Sequence, residues 1–181
     1  MKGIIFNITE SFIIDYYGEE VLNEILKECE LHTKEPYVGP GTYPDSDMME
    51  IITRSSEKLS INISDFFVKL GRYTLYKLVE RFPNFVMPYD CPKEFLKTVD
   101  SIVHVEVQKL YQGTQLPVFQ YAEPNKNELI ITYYSKRKLY SFMEGLIDGV
   151  ASYFNSSIEQ RHTIYTKNDL EFCDFHLKFN E

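Results

Sequence analysis

The sequence predicts an α+β fold, with helices first and then a mainly antiparallel four-stranded sheet that has one helix between its hairpins. Three observations predict it. Apolar residues recur at helical spacing through the first half, the period changes to alternation near residue 115, and turn-forming clusters separate the alternating runs in pairs.

The elements follow in order. Ile4, Ile5, Ile8, Phe12, Ile13 and Tyr16 fall on one helical face, and Val21, Leu22, Ile25 and Leu26 repeat the pattern over Glu19 to Cys29. "HTKEPYVGPGTYPDSD", His32 to Asp47, is dense in Pro, Gly and Asp and is expected to be a long loop. Met48 to Leu59 reads as a third helix. Ser64 is the expected N-cap of a fourth, over Asp65 to Arg81, with Phe66, Phe67, Leu70, Tyr73, Leu75 and Leu78 on its inner face. After "FPNFVMPYDCP", Lys93 to Leu110 reads as one helix that stops near Gly113. "LPVFQYAEP" and "ELIITYYSK" read as two strands joined through "PNKNE". Lys138 to Phe154 reads as a helix, and Ile158 to Tyr165 with Glu171 to Phe179 as a closing hairpin around "TKND".

At 181 residues and 44% hydrophobic content the chain suits one domain, 1–181, with two lobes. A net charge of −8 opposes a phosphate-tracking surface, so nucleic acid is not an expected partner. Three cysteines far apart, Cys29, Cys91 and Cys173, form no CxxC pair and fit a reducing cytoplasm better than a disulfide framework. The start "MKGIIFNITESFIIDYYGEE" lacks the long apolar core of a signal peptide. No stretch approaches the roughly 20 apolar residues of a membrane span, so a soluble, unprocessed protein is expected.

Enzyme signatures are absent: there is no GxSxG, Gly-rich phosphate loop or HExxH. His162, Cys173 and His176 could meet across the last hairpin, but a structural zinc site wants four ligands, and surface residues with a free thiol are the plainer reading. Asp45, Asp47, Glu50 and Glu57 read as a solvated acidic face. His104, in "SIVHVEVQKLY", shares a helix face with Gln108 and Tyr111 beside an apolar stripe of Val103, Val107 and Leu110. Alone it is more often a hydrogen-bonded core residue than a ligand, yet one His suffices to hold a metal that arrives inside a macrocycle, as in haem. In "IITYYSKRKLY", Tyr133, Ser135 and Arg137 are spaced by two and would share one strand face. Two hydroxyls and a guanidinium there would grip carboxylates such as haem propionates; the plainer alternative is an ordinary solvent-facing strand.

Together these segments resemble the bacterial haem nitric oxide/oxygen-binding (H-NOX) family, which is related to the haem domain of soluble guanylate cyclase. "YYSKR" matches its YxSxR signature through Tyr133, Ser135 and Arg137. "VHVEVQKLYQGTQLP" matches its proximal His segment, with Pro117 thirteen residues after His104. "MKGIIFN", the "LGRY" around Gly71 and "RKLYSFMEGLIDGVASYF" extend the likeness over essentially the whole chain. The resemblance implies haem b, iron protoporphyrin IX, buried between a helical lobe of about residues 1–60 and a ligating lobe of about 61–181. It implies His104 as the iron ligand, Tyr133, Ser135 and Arg137 on the propionates, Pro117 and Ile5 pressing on the porphyrin, and Leu146 on the distal side. Oxygen-binding members carry a Tyr where this chain has Phe142, so nitric oxide and carbon monoxide are the expected gases, with poor oxygen binding. Thr74, Tyr73 or Tyr140 could supply a substitute hydrogen bond. Nitric oxide would break the bond to His104 and so signal, from a monomer, to a separate histidine kinase or cyclic-di-GMP enzyme.

Two other classes stay open. A haem enzyme of the peroxidase or nitric oxide dioxygenase type would turn over peroxide or gas. A haem-free interaction domain would purify colourless.

Overall fold

In the computed structural model, which describes residues 1–180, seven α-helices and four strands build the fold that the periodicity predicts. Helix α1, Gly3–Tyr17, buries Ile4, Phe6, Ile8, Phe12 and Ile13 and ends at Gly18, whose φ of 96° suits a residue without Cβ. Helix α2, Glu19–Glu28, packs Leu22 and Ile25 beside it. Helix α3, Asp45–Leu59, starts three residues before the expected Met48. Pro44 precedes it, and Asp45 and Asp47 in the first turn suit the positive end of the helix dipole. Helix α4, Ile63–Arg81, is capped by Asn62 and not by the expected Ser64. The Asn62 side-chain oxygen accepts the Ser64 N–H at 2.8 Å, which starts the helix earlier.

The expected single helix over 93–110 is broken. Helix α5, Pro92–Thr98, passes through a π-helical turn at Val99–Val103 into α6, His104–Leu110. The run Val99, Ile102, Val103, Val105 and Val107 is β-branched, which restricts χ1 and lowers helix propensity. The π turn inserts an extra residue and resets which face points inward.

Strands β1 (Val118–Ala122), β2 (Glu128–Tyr134), β3 (Ser157–Lys167) and β4 (Leu170–Asn180) form one antiparallel sheet in the order β1-β2-β4-β3. Lys167 pairs with Leu170, so Asn168 and Asp169 make a two-residue turn, both at positive φ (51° and 60°), as a tight hairpin with the strands' own twist requires. Along β2, Leu129, Ile131 and Tyr133 are buried, and along β4, Cys173, Phe175 and Leu177. These six share a core with Met143, Ile147 and Val150 of α7, Tyr140–Tyr153. A second core joins α1, α2, α3 and the first half of α4 through Phe6, Phe12, Ile51, Phe66 and Leu70. Full burial of each such side chain contributes roughly 1.5–3 kcal/mol.

Helix α4 links the two cores because it crosses α7 at backbone distance. A Cβ on Gly71 would collide with the Phe142 carbonyl oxygen, and one on Gly145 with the Val68 carbonyl oxygen. Only hydrogen fits at those two positions. Among the described residues no helix is long and apolar enough to cross a membrane.

Candidate functional site

Between the two cores lies a cavity of about 590 Å³. Helices α4 and α7 give it only apolar side chains, among them Leu70, Leu78, Phe142, Leu146 and Ile147. Ile5 enters from α1 and Pro117 from the segment before β1. Polar atoms reach it from one wall and one rim.

The wall is α6. Val103, just before it, and His104 and Val107 face the cavity, whereas Leu110, expected in the same stripe, is 55% exposed. The His104 side chain is 15% exposed, and its Nδ1 lies 3.3 Å from Asp100 Oδ1. An ionised carboxylate only accepts, so the neutral ring carries its proton on Nδ1 and leaves the Nε2 lone pair free to bind. Asp100 is itself placed by the sheet: its Oδ1 accepts the Phe119 N–H, and its own N–H donates to the Tyr121 hydroxyl, both at 3.4 Å. Burial lowers the His104 pKa and outweighs the opposing pull of Asp100, which keeps the ring neutral and able to ligate.

The rim is built by the end of β2 and the turn after it. Tyr133 is the last inward side chain of the strand, 4% exposed. Ser135 and Arg137 lie beyond the strand end, so the three do not share a strand face as expected. The turn over residues 135–139 brings them to the same cavity instead. Burial raises the Tyr133 pKa, against the lowering effect of Ser135, the Leu139 backbone and Arg137, so the phenol stays a donor. Arg137 Nε donates to Asp45 Oδ2 at 2.7 Å and Nη1 to the Gln115 carbonyl at 2.6 Å. Asp45 also accepts from the Met1 nitrogen at 2.6 Å. Burial would raise the Asp45 pKa, but these bonds win and hold it below the usual range.

Asp47 therefore does not belong to a solvated acidic face, and Asp45, its side chain 44% exposed, is tied into the rim by Arg137 and the Met1 nitrogen. The Asp47 side chain is fully buried and accepts the His32 and Thr33 N–H groups at 3.0 and 2.9 Å, and the His32 ring lies at 2.9 Å. Against the cost of burial, these bonds depress its pKa to about 2. A sequence spacing cannot show that a carboxylate will be enclosed by a distant loop.

Three residues considered as hydrogen-bond donors to a gas sit elsewhere. The Tyr73 hydroxyl donates to Asp15 at 2.5 Å, and that of Tyr140 to Glu171 at 2.7 Å. Thr74 is 1% exposed and does not line the cavity, and its hydroxyl has no partner among the described residues. His162, Cys173 and His176 do not converge. Cys173 is buried on the α7 face, His162 on that face accepts or donates at 2.7 Å with Glu144, and His176, three residues after Cys173, points to the opposite face. Among the described residues no cluster of three His, Cys, Asp or Glu could hold a metal ion.

One imidazole with a free Nε2 in a large apolar cavity, and an Arg, Ser and Tyr rim at its edge, fit an amphipathic macrocycle that brings its own metal and two carboxylates. The sequence reading missed Lys2, a buried residue that also lines the cavity. Nothing local marks it, since its partners lie about 40 and 110 residues away.

Comparison with known proteins agrees with the geometry. Residues 2–162 match the Haem-NO-binding (HNOB) family. Among solved structures, the chain is similar to the Fe(II) unliganded H-NOX protein from K. algicida, at 29% identity and a TM-score of 0.90, with 100% of this chain and 97% of that one covered. It is also similar to the S. oneidensis H-NOX protein in its Fe(II)NO state, at 26% identity and a TM-score of 0.91, with both chains fully covered. An oxygen-binding H-NOX domain related to soluble guanylate cyclases, solved as its oxygen complex, matches at 25% identity and 0.86, with 100% and 96% covered.

Proposed function

Since the chain belongs to the haem-NO-binding family, a family of haem gas sensors, we propose that it senses nitric oxide, takes carbon monoxide, binds oxygen poorly and acts without catalysis. Relatives include both a nitric oxide complex and an oxygen complex, so likeness alone does not choose the gas. The choice rests on this chain's own cavity wall.

When bound, haem b supplies a ferrous iron that takes up a diatomic gas. His104 would hold the iron through Nε2, with Asp100 fixing the ring. Tyr133, Ser135 and Arg137 would hold the propionates, and Ile5 and Pro117 would press on the macrocycle. Leu146 and Phe142 would line the gas side, with Thr74 behind them. Bound oxygen is polarised and needs a hydrogen-bond donor, whereas nitric oxide and carbon monoxide need one much less. The single observation that carries the reading is that α4 and α7 present no donor to the cavity, while the Tyr73 and Tyr140 hydroxyls are committed to Asp15 and Glu171.

The test is the visible spectrum of the reduced, haem-loaded protein under argon, in air and under nitric oxide. The expected result is no early change in air and full conversion by nitric oxide. Phe142→Tyr should lengthen the lifetime of the oxygen complex about tenfold or more, the effect of a charge-assisted hydrogen bond. A wild-type protein that holds oxygen stably in air overturns the selectivity.

Signalling would start at His104. Were His104 to let go of the group it would hold, α6 would no longer be tied to the cavity, and the segment from Val99 to Leu110 could shift against the α1 lobe, within one domain of lobes near 1–60 and 61–181. The receiver would be a separate histidine kinase or cyclic-di-GMP enzyme. His104→Ala, loaded with haem in the presence of imidazole, should still bind nitric oxide and no longer regulate that partner; normal regulation by this variant rejects the switch.

A further inference from the structure

The rim of the cavity carries more positive charge than the protein itself balances. Lys2 is 8% exposed and lines the same cavity as Ser135 and Arg137. Its Nζ donates to the Gln112 carbonyl at 2.8 Å and to the Pro40 carbonyl at 3.2 Å. Among the described residues no carboxylate lies within 4.0 Å of it. A buried ammonium met only by neutral carbonyls is costly, because its desolvation is not offset by an opposite charge. Asp45, the carboxylate of this rim, is already committed to Arg137 and to the Met1 nitrogen.

Lys2 and Arg137 also grip one loop. Their carbonyl partners, Gln112 and Gln115, are three residues apart on the stretch between α6 and Pro117. Two cations thus converge on the loop that follows the His104 helix, and Asp45 bonds Arg137 and the Met1 nitrogen but not Lys2. Lys2 thus has no counter-charge within 4.0 Å among the described residues, and the haem proposed for this cavity carries two carboxylates.

We infer that Lys2 is a second cationic anchor for the haem propionates, in addition to the Tyr133, Ser135 and Arg137 set. The inference rests on the haem reading above. Through its backbone, Lys2 bridges to Thr42 as well, so a propionate on its ammonium joins the start of α1 to the loop behind α6.

The experiment measures the rate at which haem passes to excess apomyoglobin from the wild type, Lys2→Gln, Lys2→Met and Lys2→Arg, each loaded with protohaem or with its dimethyl ester. Lys2→Gln keeps a donor for the Gln112 carbonyl and removes only the charge. Both neutral variants should lose protohaem about tenfold faster, as expected for one lost charge-assisted bond to a carboxylate. Lys2→Arg should stay close to the wild type, and all four proteins should lose the ester at one rate. A variant that speeds loss of ester and protohaem equally makes Lys2 a structural residue and overturns the inference. Equal protohaem rates in all four loaded proteins overturn it too, with the haem reading intact. A wild type that takes up no haem overturns both.

Discussion

The two helical walls of the cavity are built on opposite principles. On one side α4 and α7 approach until backbone meets backbone, with Gly71 and Gly145 at the crossing and Leu75 against Gly149. On the other side, no residue from Val99 through Leu110 is buried, the helix is split by a π turn, and Ile102, Val105 and Leu110 are 45%, 42% and 55% exposed. Close-packed interiors resist displacement, whereas a segment with few buried contacts opens at low cost. The molecule therefore has one closely packed wall and one thinly packed wall, and the candidate ligand His104 sits on the second.

The strongest way to break this comparison is amide hydrogen exchange. Amides of α4 and α7 should exchange at least a hundredfold more slowly than those of 99–110, given the span between local and global opening free energies. Equal protection would remove the contrast. Gly145→Ala comes next, because its Cβ would meet the Val68 carbonyl. It should lower stability by about 1–3 kcal/mol in a denaturant or thermal melt, as overpacking does.

A third element shows what polar bonds fix where packing does not. Asp47 ties the loop before α3 through His32 and Thr33, and its folded pKa of about 2 lies below the ordinary 3.8. A depressed carboxyl pKa contributes stability that is present above pH 3.8 and lost as pH falls through about 2. Asp47→Asn should therefore cost about 1–2 kcal/mol at neutral pH and flatten the acid limb of a Tm-against-pH curve. The smallest effect belongs to the thinly packed wall. Val105→Gln or Ile102→Gln should shift stability by no more than about 0.5 kcal/mol, because both side chains already face solvent.

Much of this was legible in the chain. Residue periodicity predicts the order of helices and strands, since burial of one face is a local, repeating demand, and "TKND" marks its hairpin because only certain residues tolerate positive φ. Motif spacing singles out His104, Tyr133, Ser135 and Arg137, and with Pro117 and Ile5 they line one cavity. It misjudged how they arrive there, because the strand stops at Tyr134 and a turn carries the other two.

By itself, then, the sequence determined the α+β class, the family signature and the chemical types gathered around the cavity, because these depend on neighbours within a few residues. The tertiary structure alone decided that Tyr73 and Tyr140 spend their hydroxyls on Asp15 and Glu171, and that Asp45 meets Arg137 across 92 residues. It alone left Lys2 buried with no carboxylate within 4.0 Å among the described residues. The physical reason is common to all of them: charge and hydrogen-bond partners are chosen by proximity in space, and no local pattern encodes a partner a hundred residues away.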